Sequence, residues 1–380
     1  RIIQNATCGQ VLSLFKYQFM MEKDFIASND LKYPTDGEIG WKAPSNIALI
    51  MYWGKHADHI PANPSVSFTL STCATNTSLR FEKLPEKSSF FSFDFMFEGK
   101  PKIEFKPKIV TFLERIEKYL PFLRSYHFVI DSSNSFPHSS GIASSASGMA
   151  ALGLCFLEME RKANPEMTST YFNQKASFLA RLGSGSACRS IEGSLIQWGN
   201  TPSIDGSSDL FGIPYPFEVH ENFKKFQDTI LLVHKGQKPV SSTVGHGLMN
   251  GHPFAQSRFV QAHQNLETLH PIFKSGDLES FINIVESEAL TLHAMMMTSQ
   301  PYFIYMLPNT LEIINAIWAF RNKTKIPLCF TLDAGANVHV LYPESEKDKC
   351  MQFIQDELIV FCENQHYICD RIGSGAKQFL

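Results

Sequence analysis

Apolar positions along this chain change period several times, and each change marks an element. Tyr126–Ile130 is a short apolar run that reads as a buried strand, and the apolar positions of Met149–Glu160 recur at helical spacing. Between them lies Asp131-Ser-Ser-Asn-Ser-Phe-Pro-His-Ser-Ser-Gly-Ile-Ala-Ser-Ser-Ala-Ser-Gly148, which is almost wholly small residues. A small-residue loop feeding a helix leaves several backbone N–H groups unpaired, and the helix dipole adds partial positive charge there. The physical default for such a place is an anion site, most usefully for phosphate. A flexible linker is the competing account, but linkers seldom connect a buried strand to an apolar helix.

The same reading extends along the chain. Ile39–Trp41 and Ile47–Trp53 are short apolar runs on either side of Ala43-Pro-Ser-Asn46. Ser65–Thr72 alternates as a half-buried strand, and Thr77–Phe81 and Ser88–Phe97 keep a strand-like register. Ile109, Phe112, Leu113, Ile116 and Leu120 fall at helical spacing, closed by Pro121. Thr168–Leu182 is another helical pattern, and it ends in a second small-residue loop, Gly183-Ser-Gly-Ser-Ala-Cys-Arg189, expected to precede a helix. Residues 199–227 are rich in Gly, Pro and Ser, and a domain boundary is expected within or just after them.

Beyond that boundary the pattern predicts a strand at Thr229–His234 and helices over about 246–271, 277–297 and 310–322. Strands Leu328–Leu332 and Asn337–Tyr342 flank Asp333-Ala-Gly-Ala336, then come a helix over about 347–363 and a strand at Gln365–Arg371. Strands and helices interleave without a strict parallel repeat, so the fold class is α+β rather than a doubly wound sheet. The division expected is a tail over 1–35, a first domain over 36–225 and a second over 226–380.

Composition narrows the functions. Hydrophobic content of 44% and charged content of 19% describe a globular protein, and a net charge of -3 makes no case for a nucleic-acid or anionic-membrane partner. Phosphate handling must then be local, built from a few placed groups. No apolar run approaches the roughly 20 residues that span a bilayer. The eight cysteines form no CxxC pair, and reduced thiols in the cytoplasm are the simple reading. The first 20 residues lack a convincing signal-peptide core and are expected to be a non-native or upstream-translated tail.

Neither small-residue loop is a P-loop, because no Lys follows the glycines, and there is no GxGxxG with a later acidic residue. Arg189 can bind a carboxylate or phosphate bidentately, although a lone Arg is more often a surface residue. Asp333, at a strand end beside Ala-Gly-Ala, is either a turn-former or a general base for a hydroxyl brought against the phosphates. Tyr52-Trp53-Gly54-Lys55 places a donor, an aromatic and a cation around a glycine, and Ser65, Ser67, Ser241, Ser242 and Thr243 could complete a polar site with it. The thirteen histidines form no ligand cluster.

In this order the pieces resemble the GHMP kinase superfamily and, within it, the diphosphomevalonate decarboxylases. The superfamily loop is similar to Pro137 with Gly141-Ile-Ala-Ser-Ser-Ala146. The narrower decarboxylase pattern resembles Ala43-Pro-Ser-Asn-Ile-Ala-Leu-Ile-Met-Tyr-Trp-Gly-Lys55, Gly183–Ser190 and Phe330-Thr-Leu-Asp-Ala-Gly-Ala-Asn-Val-His339. Pro61–Leu70 and Val240–Thr243 fit as well, so the likeness covers about residues 36–380.

The resemblance implies a ribosomal-protein-S5-like first half, a ferredoxin-like second half, and an active site in the cleft between them. It implies ATP- and Mg²⁺-dependent decarboxylation of mevalonate 5-diphosphate, in a homodimer. Asp333 and Arg189 are the catalytic residues it implies. Ser139, Ser140, Gly141, Ala143, Ser144, Ser145 and Ser147 would hold ATP, with Ser145 the contact to Mg²⁺. Tyr52, Trp53, Gly54, Lys55, Ser184, Gly185, Ser186, Arg189 and Thr243 would seat the substrate. One residue departs from the pattern: Met51 stands where the family has Lys. That departure keeps three alternatives in view: a mevalonate 5-phosphate decarboxylase, a mevalonate 3-kinase, and a weakly active nucleotide-binding homologue.

Overall fold

The alternation that begins at Asp36 does not break at Ala43-Pro-Ser-Asn46. In the computed structural model, which describes residues 20–137, 142–236 and 240–380, it forms one strand, β1 (Asp36–Ile50). The register shifts between Pro44, opposite Ala74, and Asn46, opposite Thr69, so the extra residues lie on the partner strand at 70–73, and the proline sits at this irregularity in the ladder. The runs expected separately at Ser65–Thr72 and Thr77–Phe81 likewise merge into β2 (Ser65–Lys83), because Ala74–Asn76 continue the antiparallel ladder against Lys42–Pro44.

These strands found a first sheet. β3 (Ser92–Phe97) lies parallel to β5 (Tyr126–Asn134), which pairs with β2, and β4 (Lys100–Pro101) closes that edge. β6 (Leu195–Trp198) pairs with the start of β2, and β7 (Ile213–Pro214) pairs with β6. Helices α1 (Lys106–Ile116), α2 (Ser144–Ala163) and α3 (Ser169–Gly183) pack with the sheet. α2 lies against β1 and β2 on one side and α3 on another. Buried positions therefore run all round it from Ala146 to Glu160, as expected of a helix at the centre of a core.

Part of the expected N-terminal tail belongs to this core. Phe25 is fully buried, stacked on Phe178 at 4.5 Å and set edge-on to Phe211 at 6.0 Å. Burying one such ring is worth about 1.5–3 kcal/mol, enough to hold the segment from Met20 onward against the domain. Residues 1–19, where the rest of that expectation falls, lie outside the described residues.

The second half comprises α4 (Glu221–Lys224), β8 (Gln227–Leu231), α5 (Ser242–Gly247), α6 (Ala255–Ser275), α7 (Leu278–Met297) and α8 (Pro308–Thr324). β9 (Cys329–Thr331), β10 (Val338–Tyr342), α9 (Lys347–Phe353), β11 (Tyr367–Arg371) and β12 (Lys377–Gln378) complete it. The helix expected over 246–271 is two helices. Pro253 disfavours helical backbone at His252, and Gly251 turns through φ +74. The helix expected to reach 363 is α-helical only to Phe353 and continues as a π turn and a 3₁₀ turn. The second sheet has the antiparallel order β11-β8-β10-β9. β12 leaves it and pairs with Trp41 and Lys42 of β1, so the chain's last strand closes an edge of the first sheet. Among the described residues no helix is long and apolar enough to cross a membrane.

The halves share a core. Ile47, Leu49 and Ile50 of β1 and Val66, Phe68 and Leu70 of β2 pack with Ile230 of β8 and Leu266 of α6. Asp370 of β11 accepts from the backbone N–H groups of Ser71, Thr72 and Cys73 at 2.9, 2.8 and 2.7 Å.

At the end of β1 the backbone of Met51 is clamped by the second half. Its N–H donates to Glu288 at 2.8 Å, and its carbonyl accepts from Arg258 at 3.3 Å and Asn63 at 2.9 Å. Arg258 and Glu288 are themselves a fully buried ion pair at 2.5 Å. Arg258→Leu leaves Glu288 unpaired in a dry interior, so it should cost about 3–5 kcal/mol. Urea unfolding of the variant checks this; an unchanged midpoint would rule out the clamp as a structural necessity.

Candidate active site

The clamp at Met51 sets the course of the chain beyond it. Tyr52, Trp53 and Lys55 run along one wall of a cleft of about 170 Å³ between the halves. The other walls are the start of α2, the turn Gly183–Ser186 with Arg189, the start of α5, and Asp333 in the turn between β9 and β10.

Arg189 is the best-determined charge in this cleft. The small-residue segment around it does not lead into an α-helix as expected; Gly185–Ser190 is itself a short 3₁₀ helix, and Arg189 falls in its last part. Ile191 then leads toward strand β6, so no second helix dipole acts here. Asn46 holds that segment from just past the register shift in β1. Its amide donates to the Ser186 carbonyl at 3.1 Å and to Ser190 Oγ at 2.7 Å, while its carbonyl oxygen accepts from Arg189 Nε at 3.3 Å. Arg189 Nη1 donates to Ser65 Oγ at 2.5 Å. The guanidinium is 3% exposed and forms no ion pair among the described residues. Desolvation lowers its pKa, opposed by Cys188, Tyr52 and Asp333. Neighbouring Cys188 is no nucleophile, because burial pushes its thiol up to about 12.

Gly54 must be glycine: its φ is +96, and a Cβ there would meet the Phe259 ring at 2.8 Å. Its N–H donates to His246 Nδ1 at 3.0 Å, and the His246 ring lies 4.3 Å from Tyr52 and 4.5 Å from Trp53. Desolvation holds His246 well below its ordinary pKa, so it is neutral. The Tyr52 hydroxyl is buried without a hydrogen-bond partner, and burial raises its pKa, which keeps it a donor. Gly185 leaves it room, since a Cβ there would stand 2.7 Å from that oxygen.

Across the cleft, Ala143 adopts a left-handed conformation (φ +45) and starts α2, while Ser45 Oγ donates to the Ile142 carbonyl at 2.5 Å. Ser145 Oγ lies 3.3 Å from Ser184 Oγ, so the two small-residue segments meet. A second, apolar slot of about 130 Å³ opens beside them, walled by Phe95, Phe97, Phe105 and Met149. Lys108, Ser144 and Ser145 line both spaces.

With this geometry in place the relatives can be read. A family model described as the diphosphomevalonate decarboxylase-like N-terminal domain matches residues 43–209, and one for the mevalonate 5-diphosphate decarboxylase C-terminal domain matches 229–374. A mevalonate diphosphate decarboxylase structure from Legionella pneumophila is 31% identical with a TM-score of 0.72, covering 87% of this chain and 100% of that one. The chain belongs to the diphosphomevalonate decarboxylase family. A structure of MDDEF in complex with MVAPP, AMPPCP and magnesium is 28% identical with a TM-score of 0.75, covering 90% of this chain and 98% of that one. The diphosphomevalonate decarboxylase of Candida albicans is 28% identical over 328 residues, 82% of this chain and 86% of its own length.

For a member of this family, most of the residues singled out by sequence come together. Asp333, Arg189, Tyr52, Trp53, Lys55 and Thr243 line the cleft. So do Ala143, Ser144, Ser145, Ser184, Gly185 and Ser186. Gly54 is not part of the wall; its N–H donates to His246, which is. Ser147 is a correction: it is fully buried, and its hydroxyl pairs with Thr75 at 2.7 Å on the sheet side of α2, away from the cleft. Ser139, Ser140 and Gly141 lie outside the described residues. Sequence reasoning missed Asn46, His59 and His246. Asn46 carried a signal, a polar residue inside a buried apolar run; the histidines carried none, since Gly54 beside His246 and Arg115 beside His59 are distant from them in sequence.

Asn46→Ala should lower kcat about 10²-fold, the scale expected when a positioned charge is displaced by an ångström, while leaving the protein folded. Steady-state kinetics beside thermal unfolding checks this; unchanged kcat in a folded variant would show that Arg189 holds its place without Asn46.

Proposed function

We propose that this chain catalyses the ATP-dependent decarboxylation of mevalonate 5-diphosphate to isopentenyl diphosphate, ADP, phosphate and CO₂. The observation that carries the reading is the meeting of one carboxylate, Asp333, and one buried, ion-pair-free guanidinium, Arg189, in a cleft that also holds the start of α2. The MDDEF relative was solved with MVAPP, an ATP analogue and magnesium, and the fold here is similar to it.

In this reading Asp333 orients the tertiary 3-hydroxyl and takes its proton as the oxygen attacks the γ-phosphorus. Arg189, aligned by Asn46 and Ser65, holds the substrate carboxylate. When the carbon–oxygen bond to the new phosphate breaks, positive charge grows at C3. The electrons of the carboxylate's C–C bond then form the double bond as CO₂ leaves. Tyr52, Lys55, Ser184, Ser186 and Thr243 seat the diphosphate, and the orphan Tyr52 hydroxyl gains an acceptor there.

The residues present also fit the nucleotide. The aromatic slot has the apolar walls a purine needs, and it joins the phosphate region through Ser144, Ser145 and Lys108. No group of three or more His, Cys, Asp or Glu among the described residues could cage a metal. That suits Mg²⁺, which is usually held by one or two protein oxygens plus phosphates and water; Ser145 is the protein contact we assign. When bound, the ion neutralises charge on the phosphates. The described cysteines are free thiols, which supports a reduced, cytoplasmic setting, and a homodimer is the assembly the family resemblance supports.

Met51 remains the departure. Its side chain is 3% exposed and packs in the apolar cluster with Trp53, Leu292 and Ala334, lining the cleft that holds Asp333. A thioether stabilises no developing phosphoryl charge, and a missing donor typically costs about 10²–10³ in rate. ADP and CO₂ are to be followed together from purified protein with ATP, Mg²⁺ and each of mevalonate, its 5-phosphate and its 5-diphosphate. Both products from the diphosphate are expected; ADP without CO₂ means a kinase, and neither product means a binding protein. Met51→Lys should raise turnover, and an unchanged or lower rate would refute the role given to this position.

A further inference from the structure

Beyond the residues that the family pattern covers, the outer part of the cleft carries a contact that is electrostatically incomplete. His59 lines the cleft beside Lys55. Its Nε2 lies 2.8 Å from Arg115 Nη1, and its Nδ1 lies 3.4 Å from Lys55 Nζ. Both cations only donate, and a neutral imidazole has one acceptor nitrogen; the shorter contact, to Arg115, takes it as Nε2, so the proton sits on Nδ1. That N–H faces an ammonium, which also only donates. Two donors then face each other with no protein acceptor between them among the described residues.

Other observations support an anion there. Desolvation, Lys55 and Arg115 together push His59 down to about 3, so the ring is neutral at any working pH. Lys55, Arg115 and Arg189 form no ion pair among the described residues. The loop that presents the ring is held in an unfavourable shape. Asp58 and His59 are consecutive non-glycine residues with φ of 52 and 59, a region L-residues rarely populate. The conformation is braced by the Arg181 guanidinium donating to the Asp58 carbonyl, by His56 N–H donating to the Ile60 carbonyl at 2.8 Å, and by the bridge between Lys55 and Pro61. Arg115 is fixed too, because Nη1 also donates to the Leu182 carbonyl at 2.9 Å, at the end of α3 beside the Gly183–Ser186 wall.

We propose that His59, held as the Nδ1–H tautomer by Arg115, grips the outer phosphate of the substrate together with Lys55 and so sets a preference for the diphosphate over the monophosphate. A phosphate oxygen between Nδ1 and Nζ supplies the acceptor that both donors lack. Arg115 is a positioning residue: it chooses the tautomer and adds charge. This specificity rests on the function proposed above, but the grip is tested by binding alone.

Three variants of the full chain separate the donor from the backbone. His59→Gly removes the ring and relieves the positive φ, so folding is not put at risk. His59→Asn keeps a donor near the Nδ1 position, and Asn tolerates that conformation. Arg115→Gln removes the cation that sets the tautomer. Calorimetric titration without ATP, using mevalonate 5-diphosphate and mevalonate 5-phosphate as probes, gives the affinities. His59→Gly should weaken the diphosphate about ten- to a hundredfold, the scale of one charge-assisted hydrogen bond, and the monophosphate by less than about threefold. His59→Asn should recover most of the loss, Arg115→Gln should fall between, and in turnover the effect should appear in KM more than in kcat. Equal losses for both ligands, no loss, or no recovery by Asn overturns the proposal. His59-dependent binding of the diphosphate without ADP or CO₂ would defeat the proposed reaction and leave the grip standing. Turnover with binding indifferent to His59 would do the reverse.

Discussion

The molecule depends on how one strand ends. β1 belongs to the first sheet, yet its last residues run into the packing of the second half, where Met51 has no ladder partner for its backbone. A buried N–H and carbonyl left unpaired there would each cost on the order of 1–3 kcal/mol. Glu288 takes the N–H, and Arg258 and Asn63 take the carbonyl. Burying that ion pair is unfavourable in itself, and it is tolerated because each partner is hydrogen-bonded: Asn265 adds a further donor to Glu288 at 2.6 Å. What the arrangement achieves is positional, since it sets the direction in which Tyr52–Lys55 leave the strand. The wall of the cleft is thereby fixed by groups on α6 and α7, far from it in sequence.

A similar economy governs the charges. Arg189 is buried beside neutral oxygens, those of Asn46 and Ser65, rather than beside a carboxylate. Its charge is therefore oriented without being neutralised, as a site that must stabilise a substrate anion requires. The break in the β1–β2 register lies at this place. Ser45, between the two registers, ties down the start of α2, while Asn46 turns to the 3₁₀ segment that carries Arg189. The two small-residue segments, about forty positions apart, then meet at Ser145 and Ser184.

Much of this could be read from residues near one another in the chain. The α+β class, the small-residue start of α2, and the segments holding Tyr52–Lys55, Gly183–Arg189 and Asp333 all follow from local patterns, because period, small-residue loops and turn chemistry act over a few residues. Where the local reading failed, a distant partner had overridden it. Ala43-Pro-Ser-Asn46 reads as a break, but β2 continues the ladder on both sides of it. Residues 20–35 read as a tail, but Phe25 finds Phe178 and Phe211. Ser147 shares the composition of its loop, yet the 3.6-residue period of α2 turns it to Thr75 and the sheet.

Residues read in order already name the chemistry on offer: one candidate base, one candidate carboxylate-binding guanidinium, one candidate phosphate-binding helix start, and a Met where its family has Lys. These are properties of residue type and local spacing. Which donors stand unmatched and which are already engaged is settled by the folded chain. The orphan Tyr52 hydroxyl and the neutral His246 beside it depend on groups brought together from different elements, and so does the His59 N–H facing Lys55, because Arg115 of α1 sets the tautomer. Hydrogen-bond matching is a matter of ångströms, and spacing along a chain does not encode it until the fold has closed.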